Sequence, residues 1–190
     1  MPSLPTHVVA AIPIAAWLGR PGASKRLWLA AAVCAVLPEA DVVGFSFGIE
    51  YGDLLGHRGL THSLFFAALL SGLVTAAWFR AGCGPLSARR IWLFLFLVTA
   101  SHGLLDALTS GGLGVAFFAP FIEKRHFFPV RPIVVSPFSL GRFLSGRGVQ
   151  VVASEALWVW LPAVLLTVLA VWYQAKRRSR GSHSTIPTNR

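Results

Sequence analysis

The sequence predicts an all-α integral membrane helical bundle, and three observations carry that reading. Of the 190 residues, 55% are hydrophobic and only 13% are charged, whereas about a quarter of an average soluble domain is charged. The apolar residues gather into five runs, at about residues 8–18, 27–37, 63–79, 91–108 and 151–173. The 17 Lys and Arg, set against 7 acids, cluster beside those runs: Arg20, Lys25 and Arg26; Arg80, Arg89 and Arg90; Lys176, Arg177, Arg178 and Arg180. A net charge of +10 can mean nucleic acid, but bases that flank apolar segments are what membrane topology requires. The expected partner is therefore the lipid bilayer, and no nucleic acid is expected.

Taken in order, the first run has no basic residue ahead of it and no small-x-small cleavage site, so it reads as part of the working chain rather than as a removed signal peptide. The first two runs fall short of the roughly 20 residues needed to cross a bilayer, and the last three come near it. The short pair is expected as a shallow hairpin, a re-entrant pair, or helices completed by their flanking loops. Residues 109–150 are rich in Gly, Pro, Phe and Arg, as in a long aromatic and basic loop that lies in the headgroup region or caps a site before the last helix. The polar, basic residues 176–190 are expected to form a disordered tail, which leaves residues 1–175 as one membrane-embedded domain. Cys34 and Cys83 form no CxxC and have no zinc-finger spacing, so neither a disulfide framework nor a thiolate metal site is indicated.

Parity of the runs decides where the chemistry lies. If the first two make one out-and-back excursion, the chain start, residues 38–62 and the end of the fourth run share one membrane face. That face carries His7, Glu39 and Asp41 in LPEADV, His57 and His62 in HRGLTHS, and His102 and Asp106 in SHGLLDALTSGG. The opposite face holds the basic turns and the tail, which the positive-inside rule assigns to the cytoplasm. The candidate site then faces outward from a multi-pass protein of the cell membrane. Lys124, Arg125, Arg131, Arg142 and Arg147 run against that rule, so either they bind something or the orientation is reversed.

His102 and Asp106 are four residues apart, on one helix face and about one turn from each other. A carboxylate in an apolar helix costs about 2.5–3.5 kcal/mol at the bilayer centre unless it is paired. A divalent metal compensates it directly. Imidazoles and carboxylates without thiolates suit zinc, manganese or iron. The two histidines of HRGLTHS are too far apart for one helical face but converge if the turn folds back at Gly59. Plainer readings stand beside these: an interfacial His7, Glu39 and Asp41 as helix-terminal acids near Pro38, Thr61 or Ser63 as an N-cap beside His62, and a hydrogen-bonded His102–Asp106 pair. The one-sided gathering favours a metal site, with a pair of ions as the expected content.

LPEADV, GHRGLTHS, and SHGLLDALTSGGLGVAFFAPF followed by RHFFPVRPIVVSP together resemble the YdjM-like family of membrane-bound metal-dependent hydrolases, over about residues 5–165. The resemblance implies His7, Asp41, His57, His62, His102 and Asp106 as metal-site residues. Glu39 stands where the family often has Asp, and Ser110 where relatives are often acidic. More remotely, the order of ligands is similar to zinc-dependent phospholipase C and related single-strand nucleases. Those helical enzymes complete a multi-zinc cluster with a late His-x-x-x-Glu. No such pair occurs here, which leaves Glu39, His126 and Glu155 as further candidates.

The implied activity is hydrolysis of an amphiphilic or lipid-linked phosphoester, with Asp41, His62 and Asp106 at its centre and two ions bridged by Asp. Arg58, Arg125 and Arg131 would grip phosphate oxygens, since guanidinium forks suit them; headgroup anchoring is their plainer role. The alternative is a metal-binding transport or accessory protein, because intramembrane His and Asp also mark ion pathways. A pathway would place polar groups in both halves of the membrane, and here they lie on one side.

Overall fold

In a computed structural model that describes residues 1–18, 24–137, 139–144 and 146–182, the chain is helical, and the described residues contain no strand. The first apolar run folds as α1 (Leu4–Val9) and α2 (Ala11–Trp17). Pro5 falls in the first turn of α1, where its missing N–H is not needed. Pro13 cannot donate to the carbonyl of Val9, four residues back, and the helix breaks at Ala10 between them.

α3 (Lys25–Val36) starts at Ser24, whose Oγ accepts from the Leu27 N–H at 3.3 Å. Pro38 removes a backbone donor, yet the chain tightens into a 3-10 stretch, Leu37–Phe47, and stops only at Gly48, whose φ is 79°. The second run is thereby part of a 23-residue helical span, Lys25–Phe47. α4 (Leu64–Trp78) has Ser63 as its N-cap, with the Phe66 N–H donating to Ser63 Oγ at 3.0 Å. α5 (Ala88–Ala107) follows, then α6 (Leu140–Phe143), α7 (Gly146–Glu155), a π-helical turn at Ala156–Trp160, and α8 (Leu161–Ser182). Three helical spans are long and apolar enough to cross a membrane, Lys25–Phe47, Ala88–Ala107 and Gly146–Arg177; Leu4–Trp17 and Leu64–Trp78 are shorter apolar helices. All five apolar runs are thus helical, but the second is full length and the third, at 15 residues, is short. α8 continues through Lys176 and Arg177, past the point where the sequence puts the start of the tail. Arg20 and residues 183–190 lie outside the described residues.

Alanines 11, 15, 30, 31 and 35 on α2 and α3 pack against Phe94, Leu95 and Val98 of α5. Such small residues let membrane helices approach closely. Leu69 and Leu73 of α4, and Leu165 and Trp172 of α8, stay exposed, as on helices that face lipid. Ser24 Oγ lies 2.9 Å from Cys83 Sγ, Arg26 stacks over Phe79, and Gln174 Nε2 donates to the Ala16 carbonyl. These contacts gather Lys25, Arg26, Arg80, Lys176 and Arg177 at one end of the bundle. The opposite end holds His7, the close of α3 and α5 and the start of α4. Over that end lies the 109–137 loop, pinned where the Leu64 N–H donates to the Phe117 carbonyl and the Phe128 N–H to that of Ala107, each at 3.0 Å.

Candidate metal centre

Four elements bring buried polar side chains to that end: α1 carries His7, the 3-10 stretch carries Glu39 and Asp41, the HRGLTHS turn carries His57 and His62, and α5 carries His102 and Asp106. His102 Nδ1 is 2.7 Å from the Ala35 carbonyl. A carbonyl only accepts, so Nδ1 carries the proton and Nε2 keeps its lone pair. His62 Nδ1 is 3.2 Å from Asp41 Oδ2, which also takes the Thr61 hydroxyl hydrogen at 2.7 Å. The Nδ1 proton of His62 therefore points at the carboxylate, so that Nε2 offers a lone pair whenever the ring is neutral.

Those two Nε2 atoms face each other at 3.0 Å. Asp106 Oδ2 lies 3.1 Å from Nε2 of His62, and Glu39 Oε1 lies 3.3 Å from Nε2 of His102. One ligand atom from each of Glu39, His62, His102 and Asp106 falls within 4.8 Å of all the others. Acceptors converging in a buried space repel unless a cation lies among them. A proton on His62 supplies part of that charge: burial opposes its imidazolium, but the hydrogen bonds it donates to Asp106 and Asp41 outweigh burial and push its pKa up to about 9. It leaves both Glu39 oxygens buried without a hydrogen bond. A divalent ion meets all four groups at once, so the donor set fits one.

Around this centre, His7 stacks on His102 with ring centroids 3.8 Å apart, and its Nε2 is 3.7 Å from Glu39 Oε1. Asp41, His57 and His62 form a second group with metal-ligand spacing. There Asp41 Oδ1 is 2.7 Å from His57 Nδ1, so this one carboxylate faces the Nδ1 atoms of both histidines. That is how an outer carboxylate fixes the tautomer of ligating imidazoles.

HRGLTHS folds back as the spacing requires, but the residue in the left-handed region is Arg58, with φ 65°, and not Gly59. Gly59 is needed for room, since a Cβ there would sit 2.2 Å from the Leu54 carbonyl oxygen. Arg58 does not face an open surface. It is buried with its guanidinium against Asp106. Arg125 donates to the carbonyls of Tyr51, Asp53 and His57 at 2.9–3.1 Å, stapling that turn. Of the three arginines expected at a phosphate, Arg131 is the exposed one; it stacks over Phe127 at 4.6 Å.

Two further candidates sit elsewhere. The His126 ring packs near Phe117 and Phe118, and its backbone pairs with Val115. Glu155 accepts from Ser3 N–H, Ser3 Oγ and Thr6 Oγ1, and so is occupied in anchoring α1. Neither belongs to the two groups with metal-ligand spacing. Ser110 accepts from the Val135 N–H instead of facing the cluster. Sequence reasoning missed the Ala35 carbonyl and Thr109, and read Thr61 only as a cap. A hydroxyl one residue before a candidate ligand was the available signal for Thr61; a carbonyl carries none.

The sequence profile described as YdjM inner membrane protein matches residues 1–178. The inner membrane protein YbcI of Escherichia coli (strain K12) is 43% identical over 175 residues, which cover 90% of this chain and 98% of that protein. No solved structure matches the chain. With the match running through every apolar helix and every residue of the buried cluster, the chain belongs to the YdjM family of inner membrane proteins.

Proposed function

We propose that the protein is a membrane-bound metal-dependent hydrolase, a phosphoesterase acting on an amphiphilic or lipid-linked substrate. The observation that carries this reading is the approach of two imidazole Nε2 atoms to 3.0 Å, each made an acceptor by its own Nδ1 partner, in front of the Glu39 and Asp106 carboxylates. Such a set, without thiolates, suits zinc first and manganese or iron next. When bound, the ion supplies Lewis acidity that brings the pKa of water towards neutrality.

The chain's own residues do the rest. His62, His102, Glu39 and Asp106 hold the ion, Asp41 keeps His57 and His62 in the required tautomer, and His7 closes the cluster by stacking on His102. Lys124 and Arg131 stand on the same loop as the exposed Phe121, Ile122 and Val130. Cations beside apolar anchors suit an anionic head carried on a lipid-like body. The basic end of the bundle is assigned to the cytoplasm and the cluster to the outer side, by the charge rule.

The test is turnover of a chromogenic phosphodiester and of a short-chain phospholipid by purified, zinc-loaded protein. Activity should vanish with a chelator, return with zinc, and be absent in His102→Ala. No turnover by fully loaded protein, together with zinc flux in proteoliposomes, would favour transport instead.

A further inference from the structure

Arg58 heads the fully buried side chains by volume, and among the described residues it is the one non-glycine with a positive φ. L residues avoid that region, so the surroundings must impose it. Its N–H donates to Asp41 Oδ2 at 3.2 Å, and its carbonyl accepts from the Ala116 N–H at 3.0 Å. Held at both ends, the backbone turns the side chain inward. Nε then lies 3.1 Å from Asp106 Oδ2 and Nη2 lies 3.3 Å from Oδ1. Nη2 also donates to Thr109 Oγ1 at 3.0 Å, and Nη1 to the Gly111 carbonyl at 2.8 Å. A Cβ at position 112 would come within 2.7 Å of Nη1, so Gly112 leaves the space the guanidinium fills.

The two faces of Asp106 are therefore unlike. Oδ2 looks into the acceptor cluster, 3.1 Å from His62 Nε2, with Arg58 Nε also 3.1 Å away, while Oδ1 is turned from the cluster to Arg58 Nη2 at 3.3 Å and the Met1 amine at 3.8 Å. A carboxylate that bridges two metal ions gives one oxygen to each. Here the far oxygen meets a guanidinium at 3.3 Å, with the Met1 amine beside it at 3.8 Å; the guanidinium never loses its charge and fits a carboxylate through a fork of two N–H groups. We propose that Arg58 is the second cation of this centre: it takes the place that a second divalent ion bridged by Asp106 would need, and so limits the site to one ion. The inference rests on the reading that Glu39, His62, His102 and Asp106 hold a divalent ion. It replaces the pair of ions expected from the sequence. Asp41, although grouped with His57 and His62 at metal-ligand spacing, acts here as an orienting carboxylate, its oxygens facing His57 Nδ1, His62 Nδ1, Thr61 Oγ1 and the Arg58 N–H.

Counting zinc per chain by elemental analysis, on full-length protein saturated with zinc and then desalted, tests this. Arg58→Gly removes the guanidinium and suits a φ of 65°; Arg58→Lys keeps a charge in place. Wild type and Arg58→Lys should each hold about one ion and Arg58→Gly about two. Should Arg58→Gly fail to purify folded, Arg58→Met is counted in its stead, with the same expectation. Two ions in the wild type would overturn the inference. So would a count that stays at one, or falls to none, when the guanidinium is removed from folded protein. A wild type with no ion at all is the separate result that removes the metal reading itself.

Discussion

Replacing Asp41 by Asn separates an orienting carboxylate from a ligating one. Asp41 faces His57 Nδ1 at 2.7 Å, Thr61 Oγ1 at 2.7 Å, His62 Nδ1 at 3.2 Å and the Arg58 N–H at 3.2 Å, all of them donors. Asn exchanges one carboxylate oxygen for an amide NH2, which only donates, and removes the charge. Whichever oxygen is lost, at least one imidazole N–H then meets a donor. A hydrogen bond to a charged group contributes about 1.5–3 kcal/mol, and outer partners of ligating histidines typically change metal affinity by about 10–100-fold. The two estimates agree, since each tenfold change is about 1.4 kcal/mol. Asp41→Asn should therefore weaken zinc binding by about 10–100-fold while the number of ions per chain stays the same. Competition against a chromogenic chelator at pH 7 measures both. Unchanged affinity would refute the orienting role, and complete loss of the ion at saturating zinc would make Asp41 a ligand, as the sequence alone suggests.

Other predictions follow from neighbouring contacts. Asp106 and Asp41 overcome burial to hold the His62 pKa up to about 9, so metal-free protein keeps a proton there at neutral pH; the stability it brings is full below about 6.5 and is lost as pH rises through about 9. Zinc must displace that proton, so its apparent affinity should climb about tenfold per pH unit from pH 7 and level off near pH 9; a flat profile would contradict the assignment. Glu155→Ala leaves Ser3 and Thr6 donors without their acceptor and should destabilise the detergent-solubilised protein by about 3 kcal/mol, read from its unfolding transition; an unchanged transition would show that α1 is anchored otherwise. In protein lacking Cys34 and Cys83, cysteines at Phe47 and Ser136 should label from outside intact cells and one at Ser179 should not; the reverse pattern would turn the site to the cytoplasm.

The sequence was most legible where chemistry and periodicity coincide. Five apolar runs gave five helical regions, and parity alone collected His7, Glu39, Asp41, His57, His62, His102 and Asp106 at one end of the bundle, which is where they lie. Lengths were less legible. Pro38 reads as a stop, yet it only tightens the helix, because a 3-10 turn tolerates a missing donor there. Long-range partners were not legible at all. Arg58 looks like a surface cation in HRGLTHS, and only a backbone held between Asp41 and Ala116 turns it inward to Asp106. Glu155 looks like a spare ligand until α1 folds across it.

X-ray absorption at the zinc edge of purified, metal-loaded protein tests the central claim most directly. Two imidazoles and two carboxylates predict a shell of nitrogen and oxygen ligands at about 2.0–2.2 Å, with no sulfur scatterer near 2.3 Å. His102→Ala should remove one imidazole from that shell or empty the site. A sulfur ligand, or an imidazole signal unchanged in His102→Ala, would contradict a centre built on Glu39, His62, His102 and Asp106.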